Sequence, residues 1–246
     1  MKQNLSSETL CELEAMLEKG AFLETTQLCD QLLVHFPDHP ELLFIKAIAL
    51  QHSNLIDESI VILKEIQERS PEFLDAGSQL AYAYFENVQF SLAHTTICGI
   101  LKQTPFDAYC WWLYGLIREH QGNLFGAERA YQAAQELDPE SYPILPELSD
   151  KRVMEFMSAA AHMLSSTQQS ALHCLVWNIV ETPTEHQLAL LALTPLEPLF
   201  YVDRLQAQLF LFRQNLRRYM LLNEHIPSRM AAELHSYLVD STQLEA

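Results

Sequence analysis

Glycine is scarce in this sequence, with only six in 246 residues. Loops that cradle phosphate groups depend on glycine, because their backbone must approach the ligand closely. The chain carries no P-loop, no dinucleotide-binding fingerprint and no Gly-x-Ser-x-Gly turn for a nucleophile. These absences argue against nucleotide binding and against the common serine hydrolase sites.

Basic residues are also few, with 15 Lys and Arg against 32 Asp and Glu, and the formal net charge is −17. The acidic excess lies mainly in the first 149 residues, which hold 8 basic and 22 acidic side chains. Nucleic-acid affinity depends on Lys and Arg that neutralise phosphates, so we expect no nucleic-acid partner. The acidic surface either keeps the protein soluble or attracts a basic partner.

The five cysteines form no Cys-x-x-Cys pair, and they are scattered among apolar residues. This usage is typical of reduced, buried thiols and predicts a cytoplasmic protein. No apolar secretion segment follows Met1, and no apolar run approaches membrane-spanning length, so we expect no membrane insertion. Hydrophobic residues make up 49% of the chain, which is enough for a folded core.

Four prolines recur at intervals of 34 residues, at Pro37, Pro71, Pro105 and Pro139. Each follows an apolar run by a few residues, where its fixed φ and missing N–H would end one helix and turn the chain into the next. A fixed period of this length predicts repeated pairs of helices.

Two columns of small residues follow the same period. Close crossing of two helices requires small side chains, because larger ones would separate the backbones. The columns are Leu13, Ala47, Ala81 and Gly115, of which the last three are small, and Thr25, Ser59, Ala93 and Ala127, which are all small. Two further columns hold bulky apolar residues and predict the core: Cys29, Leu63, Ile97 and Tyr131, and Leu32, Ile66, Ile100 and Ala134.

Residues 108–139 carry the sharpest pattern, with Gly122 at the turn between two helices. Signature positions are occupied by Trp111, Gly115, Ala127, Tyr131, Ala134 and Pro139. This part of the chain resembles the tetratricopeptide repeat family, and the resemblance extends over roughly residues 1–140, weakest in the first hairpin. It implies an N-terminal α-solenoid of about four helical hairpins, to which we assign residues 1–149.

The resemblance implies that the first helix of each hairpin lines a concave face that receives a peptide or helix of another protein. Lys, Arg and Asn, which form a carboxylate clamp in some members, do not occur at the lining positions. The predicted partner-binding residues are apolar and aromatic: Phe44, Ile48, Tyr82, Phe85, Tyr109, Trp112 and Leu116. The alternative is that these side chains pack inside the protein, against neighbouring helices or its own C-terminal half.

Residues 150–246 form a second region, which begins after the prolines at 143 and 146. Periodicity predicts helices over 153–164, 216–222 and 228–239. Apolar and β-branched runs predict strands over 173–179 and 208–212. This order predicts a small α+β domain.

The stretches Thr194–Phe200 and Leu209–Arg218 resemble the small bacterial zincin-like metallopeptidase domains. That family requires His-Glu-x-x-His on a helix, so that two imidazoles share a zinc ion and the Glu polarises its water. The aligned run here, residues 232–236, reads Ala-Glu-Leu-His-Ser, and the third ligand falls near Asp240 or Ser241. The resemblance therefore implies an inactive domain without zinc, in which Glu233 is a relic of the general base or a plain surface residue.

These patterns predict a non-catalytic adaptor or chaperone-like protein without a cofactor. One alternative is a divergent zinc metallopeptidase that uses His225, Glu233 and His235. Another is a pseudoenzyme domain with a regulatory role, or one that makes a homo-oligomer. The basic cluster of Arg213, Arg217 and Arg218 binds either an acidic partner or the acidic solenoid of the same molecule.

Overall fold

The computed structural model describes residues 5–222 and 225–239, which form thirteen helices and three strands. The chain divides into two compact units between Tyr142 and Pro143. Among the described residues, no helix combines the length and apolar character needed to cross a bilayer.

The first unit consists of eight helices arranged as four hairpins, including the predicted first hairpin. Each of the four prolines lies two to four residues after the second helix of its hairpin, as the period predicts. The helices are α1 (Ser7–Glu18), α2 (Phe22–Leu33), α3 (Pro40–His52), α4 (Ile56–Arg69), α5 (Leu74–Glu86), α6 (Phe90–Leu101), α7 (Ala108–His120) and α8 (Leu124–Leu137).

The small-residue columns lie where the two helices of each hairpin cross. All eight of their members are buried. Gly115 shows the reason most directly, because a Cβ added there would lie 2.5 Å from Cε1 of Tyr131. The packing of α7 on α8 therefore requires glycine at this position.

The turn inside each hairpin repeats a backbone feature that the proline and small-residue columns did not reveal. Gly20, Asn54, Val88 and Gly122 are spaced by 34 residues, and all four have positive φ, between 57° and 77°. The residue after each turn donates its backbone N–H to a carbonyl five residues earlier, as from Gln89 to Tyr84 (2.8 Å). This left-handed cap ends the first helix and starts the second.

The second unit is an α+β fold around a three-stranded sheet. Strand β3 is central; it pairs in parallel with β1 and antiparallel with β2. The elements are α9 (Asp150–Ala161), α10 (Ser166–His173), β1 (Val176–Val180), α11 (Glu185–Leu191), β2 (Phe200–Asp203), β3 (Gln208–Phe212), α12 (Arg213–Leu221) and α13 (Ile226–Val239).

The predicted elements of the second unit are confirmed in part. Strand β3 and the three helices are present, with helix starts two or three residues earlier than predicted. The strand predicted over 173–179 begins only at Val176. His173 instead ends α10, which starts with a capping box between Ser165 and Gln168. Helices α10 and α11 and strand β2 were not predicted from the sequence patterns.

The core of the second unit lies between the sheet and two helices. Met157 of α9 and Leu234 of α13 are buried with Phe200 of β2 and Leu209 of β3. Asn215, which is fully buried on α12, donates to the carbonyl oxygens of Pro195 and Pro198 at 3.0 and 2.8 Å. This side chain fixes the turn that leads into β2.

Candidate protein-interaction surface

The first helices of successive hairpins form a continuous layer, since α1 contacts α3, α3 contacts α5 and α5 contacts α7. Residues three, four or seven positions apart lie on the same side of a helix. Side chains at this spacing form one continuous surface across the layer. We call this surface the first-helix face. It comprises Phe44, Ile48 and Gln51 of α3, Gln79, Tyr82 and Glu86 of α5, and Tyr109 and Trp112 of α7.

Aromatic rings cluster at two places on the first-helix face. On α7, Tyr109 stacks with Trp112 (ring centroids 5.8 Å apart), and Trp112 lies 6.0 Å from Tyr142. On α3, Phe44 lies 5.1 Å from Phe73. Tyr82, Tyr109 and Trp112 are each half-buried. The structure therefore brings together on one face five of the seven residues predicted from the sequence.

The other two predicted residues, Phe85 and Leu116, are fully buried. The Phe85 ring packs against Phe90 and His120, with centroids 5.6 and 5.0 Å away. Helical spacing alone could not distinguish these two buried positions from the five that are accessible to solvent. Both belong to the core, so the prediction that they bind a partner is wrong.

A polar network crosses the first-helix face, for which the sequence predicted apolar and aromatic residues. The Gln79 side-chain amide donates to Gln51 Oε1, and the Gln51 amide donates to Glu86 Oε2, both at 2.6 Å. The sequence carried a weaker signal, because Gln51 follows Ile48 by three positions, and Gln79 and Glu86 lie three before and four after Tyr82. The face therefore combines aromatic surface with hydrogen-bonding groups.

The surroundings of Tyr109 are weakly solvated and negatively polarised. Burial, and next to it the hydroxyl of Tyr82, raise the pKa of the Tyr109 hydroxyl well above 10.0, and Glu86 acts in the same direction. The phenol therefore stays neutral and keeps its O–H as a donor. It can bind a carbonyl oxygen but cannot act as a base.

Glu233, the predicted relic of a general base, has a structural task in the second unit. Its Oε1 accepts the backbone N–H groups of Leu199 and Phe200 at 2.9 and 3.0 Å. Burial raises the pKa of the carboxyl above its ordinary value of 4.5, while these two hydrogen bonds act in the opposite direction. The carboxylate anchors the start of β2 to α13 and faces protein backbone rather than an open site.

The two histidines of the alternative metal site, His225 and His235, each have a hydrogen-bond partner of their own. His235 Nδ1 lies 2.7 Å from the side-chain amide of Gln168 on α10, and His225 Nδ1 lies 2.8 Å from Ser228 Oγ. Within residues 5–222 and 225–239, no three His, Cys, Asp or Glu side chains are placed to share a metal ion. Asp240 and Ser241, the predicted third-ligand positions, lie outside this range.

Two arginines of the predicted basic cluster bind groups of their own unit. Arg213 pairs with Asp150 and Glu181 and donates to the Leu148 carbonyl oxygen. Arg217 donates to the carbonyl oxygens of Leu145 and Pro146 at 3.0 and 2.8 Å. Because both side chains hold residues 145–150 against α12, the interpretation as an external acidic-partner site is wrong for them.

Four stacked hairpins of period 34 define the first unit as a tetratricopeptide-type helical repeat, followed by a unit with a small sheet. No family model matches the sequence, and no curated protein matches it either. Part of the chain is similar to solved structures of MamA. A MamA fragment from Desulfovibrio magneticus RS-1 is 23% identical, with a TM-score of 0.48 over 52% of this chain and 72% of that one.

A second structure, described as a crystal structure of MamA, is 18% identical, with a TM-score of 0.47 over 56% of this chain and 77% of that one. Because both TM-scores lie below 0.5, we draw no functional conclusion from the likeness. The assignment of the repeat rests on the helices and turns of this chain.

Proposed function

We propose that the protein is a non-catalytic adaptor or chaperone-like protein that binds a polypeptide segment on its first-helix face. The observation that carries this proposal is the row of half-buried aromatic rings, Tyr82, Tyr109 and Trp112, on adjacent first helices. Large aromatic side chains supply much of the binding energy in protein interfaces, since they bury a large area at low cost in side-chain entropy.

The polar groups on the same face favour a peptide over a purely apolar ligand. An extended segment brings backbone N–H and C=O groups that need partners when they leave water. The half-buried Gln79, whose amide already takes part in the polar network, can supply such a partner beside the rings. The acidic composition of this half favours a segment with basic side chains.

A photo-crosslinking experiment tests this proposal. The photoreactive amino acid p-benzoylphenylalanine replaces Tyr82 in one variant and Val61, a 65% exposed residue of α4, in a matched control. We expect a crosslink from position 82, but not from position 61, to a defined segment of another protein. Binding of that segment as a synthetic peptide should weaken about tenfold or more in Trp112→Ala, because a buried aromatic anchor is lost.

The same experiment decides between the proposal and its main alternative. Crosslinks from position 82 exclusively to residues 143–246 of the same molecule would mean that the aromatic rings of the first-helix face pack against the protein's own C-terminal half. The proposed role would then be wrong.

For the second region, residues 150–246, we propose a zincin-like domain that lost its metal site and now supports or regulates the repeat region over 1–149. The support is the resemblance around residues 194–218 together with the placement of Glu233 on backbone amides. Metal analysis of the purified protein tests it. Stoichiometric zinc, with peptide cleavage that a chelator abolishes, would favour the divergent metallopeptidase instead.

We further propose a cytoplasmic location and, as a second role for the C-terminal region, a homodimer. All five cysteines are free thiols, which fits a reducing compartment. Light scattering of the purified protein tests the dimer through the molar mass, which is 28.2 kDa for one chain.

A further inference from the structure

We propose that a cleft between α7 and α8 binds a short acidic segment of a partner protein, in which a glutamate or aspartate adjoins an aromatic residue. The cleft has a volume of about 340 Å³. It is lined by Trp111, Tyr114 and Arg118 of α7 and by Gly126, Arg129, Ala130 and Ala133 of α8. None of these residues belongs to the first-helix face, so the inference goes beyond the proposed function.

The cleft and the first-helix face lie on roughly opposite sides of α7. Each residue turns a helix by about 100°, which separates Trp111, Tyr114 and Arg118 from Tyr109 and Trp112 by about 100° to 180° around the helix axis. Trp111 is held in place by a hydrogen bond from its Nε1 to the Pro105 carbonyl oxygen (2.8 Å). Its ring lies edge-on to Tyr114, with centroids 6.1 Å apart. These two rings form an aromatic surface on the α7 side of the cleft, held in place by these contacts.

Two of the three arginines of the acidic first unit line this cleft. The Arg118 guanidinium lies 6.0 Å from the centre of the Tyr114 ring, and its Nη1 donates to Gln121 at 3.3 Å. Its Nε–H is buried and has no acceptor among the described residues. Arg129 is exposed, and no carboxylate within the described part of the chain pairs with it. The cleft therefore presents two guanidinium groups without an acidic partner.

The small residues on α8 open the space that a ligand would fill. Because Gly126, Ala130 and Ala133 have small side chains or none, a side chain of the ligand can reach the aromatic rings of α7. The ring centroids of His94 on α6 and Tyr114 lie 5.7 Å apart. Burial, and after it the charge of Arg118, lowers the pKa of His94. This imidazole is therefore neutral at physiological pH and leaves the positive charge of the cleft to the arginines.

The size of the cleft and the charge around it restrict the ligand. A volume of about 340 Å³ is at the lower end of ligand sites and accommodates one or two side chains. Nucleic acids and other long polyanions would be repelled by the 22 acidic residues of the first 149. One or two carboxylates can pair with guanidinium groups, while an adjacent aromatic ring packs on Trp111 and Tyr114.

A titration of the full chain with the peptide acetyl-Glu-Phe-Glu-amide tests the inference. NMR spectra that resolve the arginine Nε–H groups report directly on Arg118 and Arg129. We expect saturable shifts of both signals, and dissociation constants about tenfold larger for Arg129→Gln and for the neutral peptide acetyl-Gln-Phe-Gln-amide, because a charge-assisted pair is lost in each case. Trp112→Ala, on the first-helix face, should bind the acidic peptide as the unchanged protein does.

Arg69→Gln is the matched control, because it removes the same charge from α4, where Arg69 pairs with Asp38 and Glu65. Equal weakening by Arg69→Gln and Arg129→Gln would show general charge attraction and overturn the site. Absence of saturable shifts would overturn it as well. If sodium glutarate binds as tightly as the peptide, the ligand is a small organic acid and the inference of a partner protein is wrong.

Discussion

Trp111 and Trp112 are neighbours in the chain, yet their side chains have different partners. Trp111 donates to the Pro105 carbonyl oxygen, whereas the ring of Trp112 lies between those of Tyr109 and Tyr142. One residue turns a helix by about 100°, so adjacent side chains leave α7 in different directions. Helix α7 thus contributes to two surfaces, and substitutions of the two tryptophans should affect binding independently.

The turn at Val88 predicts a stabilising substitution. Val88 has a φ of 57°, and a β-branched side chain is strained in this region. Asn54 occupies the equivalent turn with a φ of 61°. We expect Val88→Asn to raise the free energy of unfolding by about 1 kcal/mol, measured by urea denaturation.

Gly122→Val is the opposite change at the equivalent turn, where φ is 77° and a Cβ would meet no atom within 4 Å. Only the backbone conformation opposes this side chain, so a loss of about 1–2 kcal/mol is expected. If both substitutions leave stability unchanged, positive φ does not limit these turns.

A second pair of substitutions tests the crossing of α7 and α8. We expect Gly115→Ala to destabilise the protein by about 1–3 kcal/mol, since the new Cβ would overlap the Tyr131 ring. Gly99→Ala is the control, because α6 has open space there and alanine favours a helix by up to about 1 kcal/mol. Thermal unfolding should therefore shift in opposite directions, and a parallel shift would contradict the close crossing.

Glu233 should make the stability of the protein depend on pH. Its raised pKa means that the folded state holds the proton more tightly than the unfolded state does. The stability of the protein with Glu233 should therefore fall, relative to Glu233→Gln, as pH rises from 4.5 through the folded pKa. Urea denaturation at a series of pH values measures this difference.

Glu185→Gln serves as a control for the loss of one charge, because Glu185 is exposed in the first turn of α11. Its stability should follow that of the unchanged protein at each pH. A constant difference between Glu233→Gln and the unchanged protein would show that Glu233 does not titrate in this way.

The cysteines should differ sharply in reactivity. Burial raises the pKa of Cys29 to about 11 and that of Cys110 to about 12. The thiolate is the reactive form, and Cys11 and Cys174 are exposed. At about pH 8, iodoacetamide should label Cys11 and Cys174 at least tenfold faster than the two buried thiols. Mass spectrometry of peptides measures the rates, and fast labelling of Cys110 would indicate that α7 opens.

Much of the first unit could be predicted from the sequence, because each hairpin repeats the same local requirements. Prolines end the second helices, and small residues mark the crossings, so the period alone gave the number and order of the helices. The left-handed turns were harder to recognise, since only two of the four, at Gly20 and Gly122, carry glycine.

The second unit was less predictable, because several of the contacts that define it join residues far apart in the chain. Strand β2 has only four residues, and Glu233, more than thirty positions away, holds it in place. Likewise Asn215 fixes a turn about twenty residues earlier. Single-sequence patterns report spacing along one helix or strand, and such pairings do not appear in them.

The amino-acid sequence by itself determined the four hairpins, the aromatic residues on the first helices and the lack of a complete zincin motif. Only the tertiary structure decided that Phe85 and Leu116 are core, that a polar network crosses the first-helix face, and that Glu233 caps backbone amides. The reason is physical: a period fixes which side of a helix a residue occupies, whereas burial and hydrogen bonding depend on what the rest of the chain places opposite it.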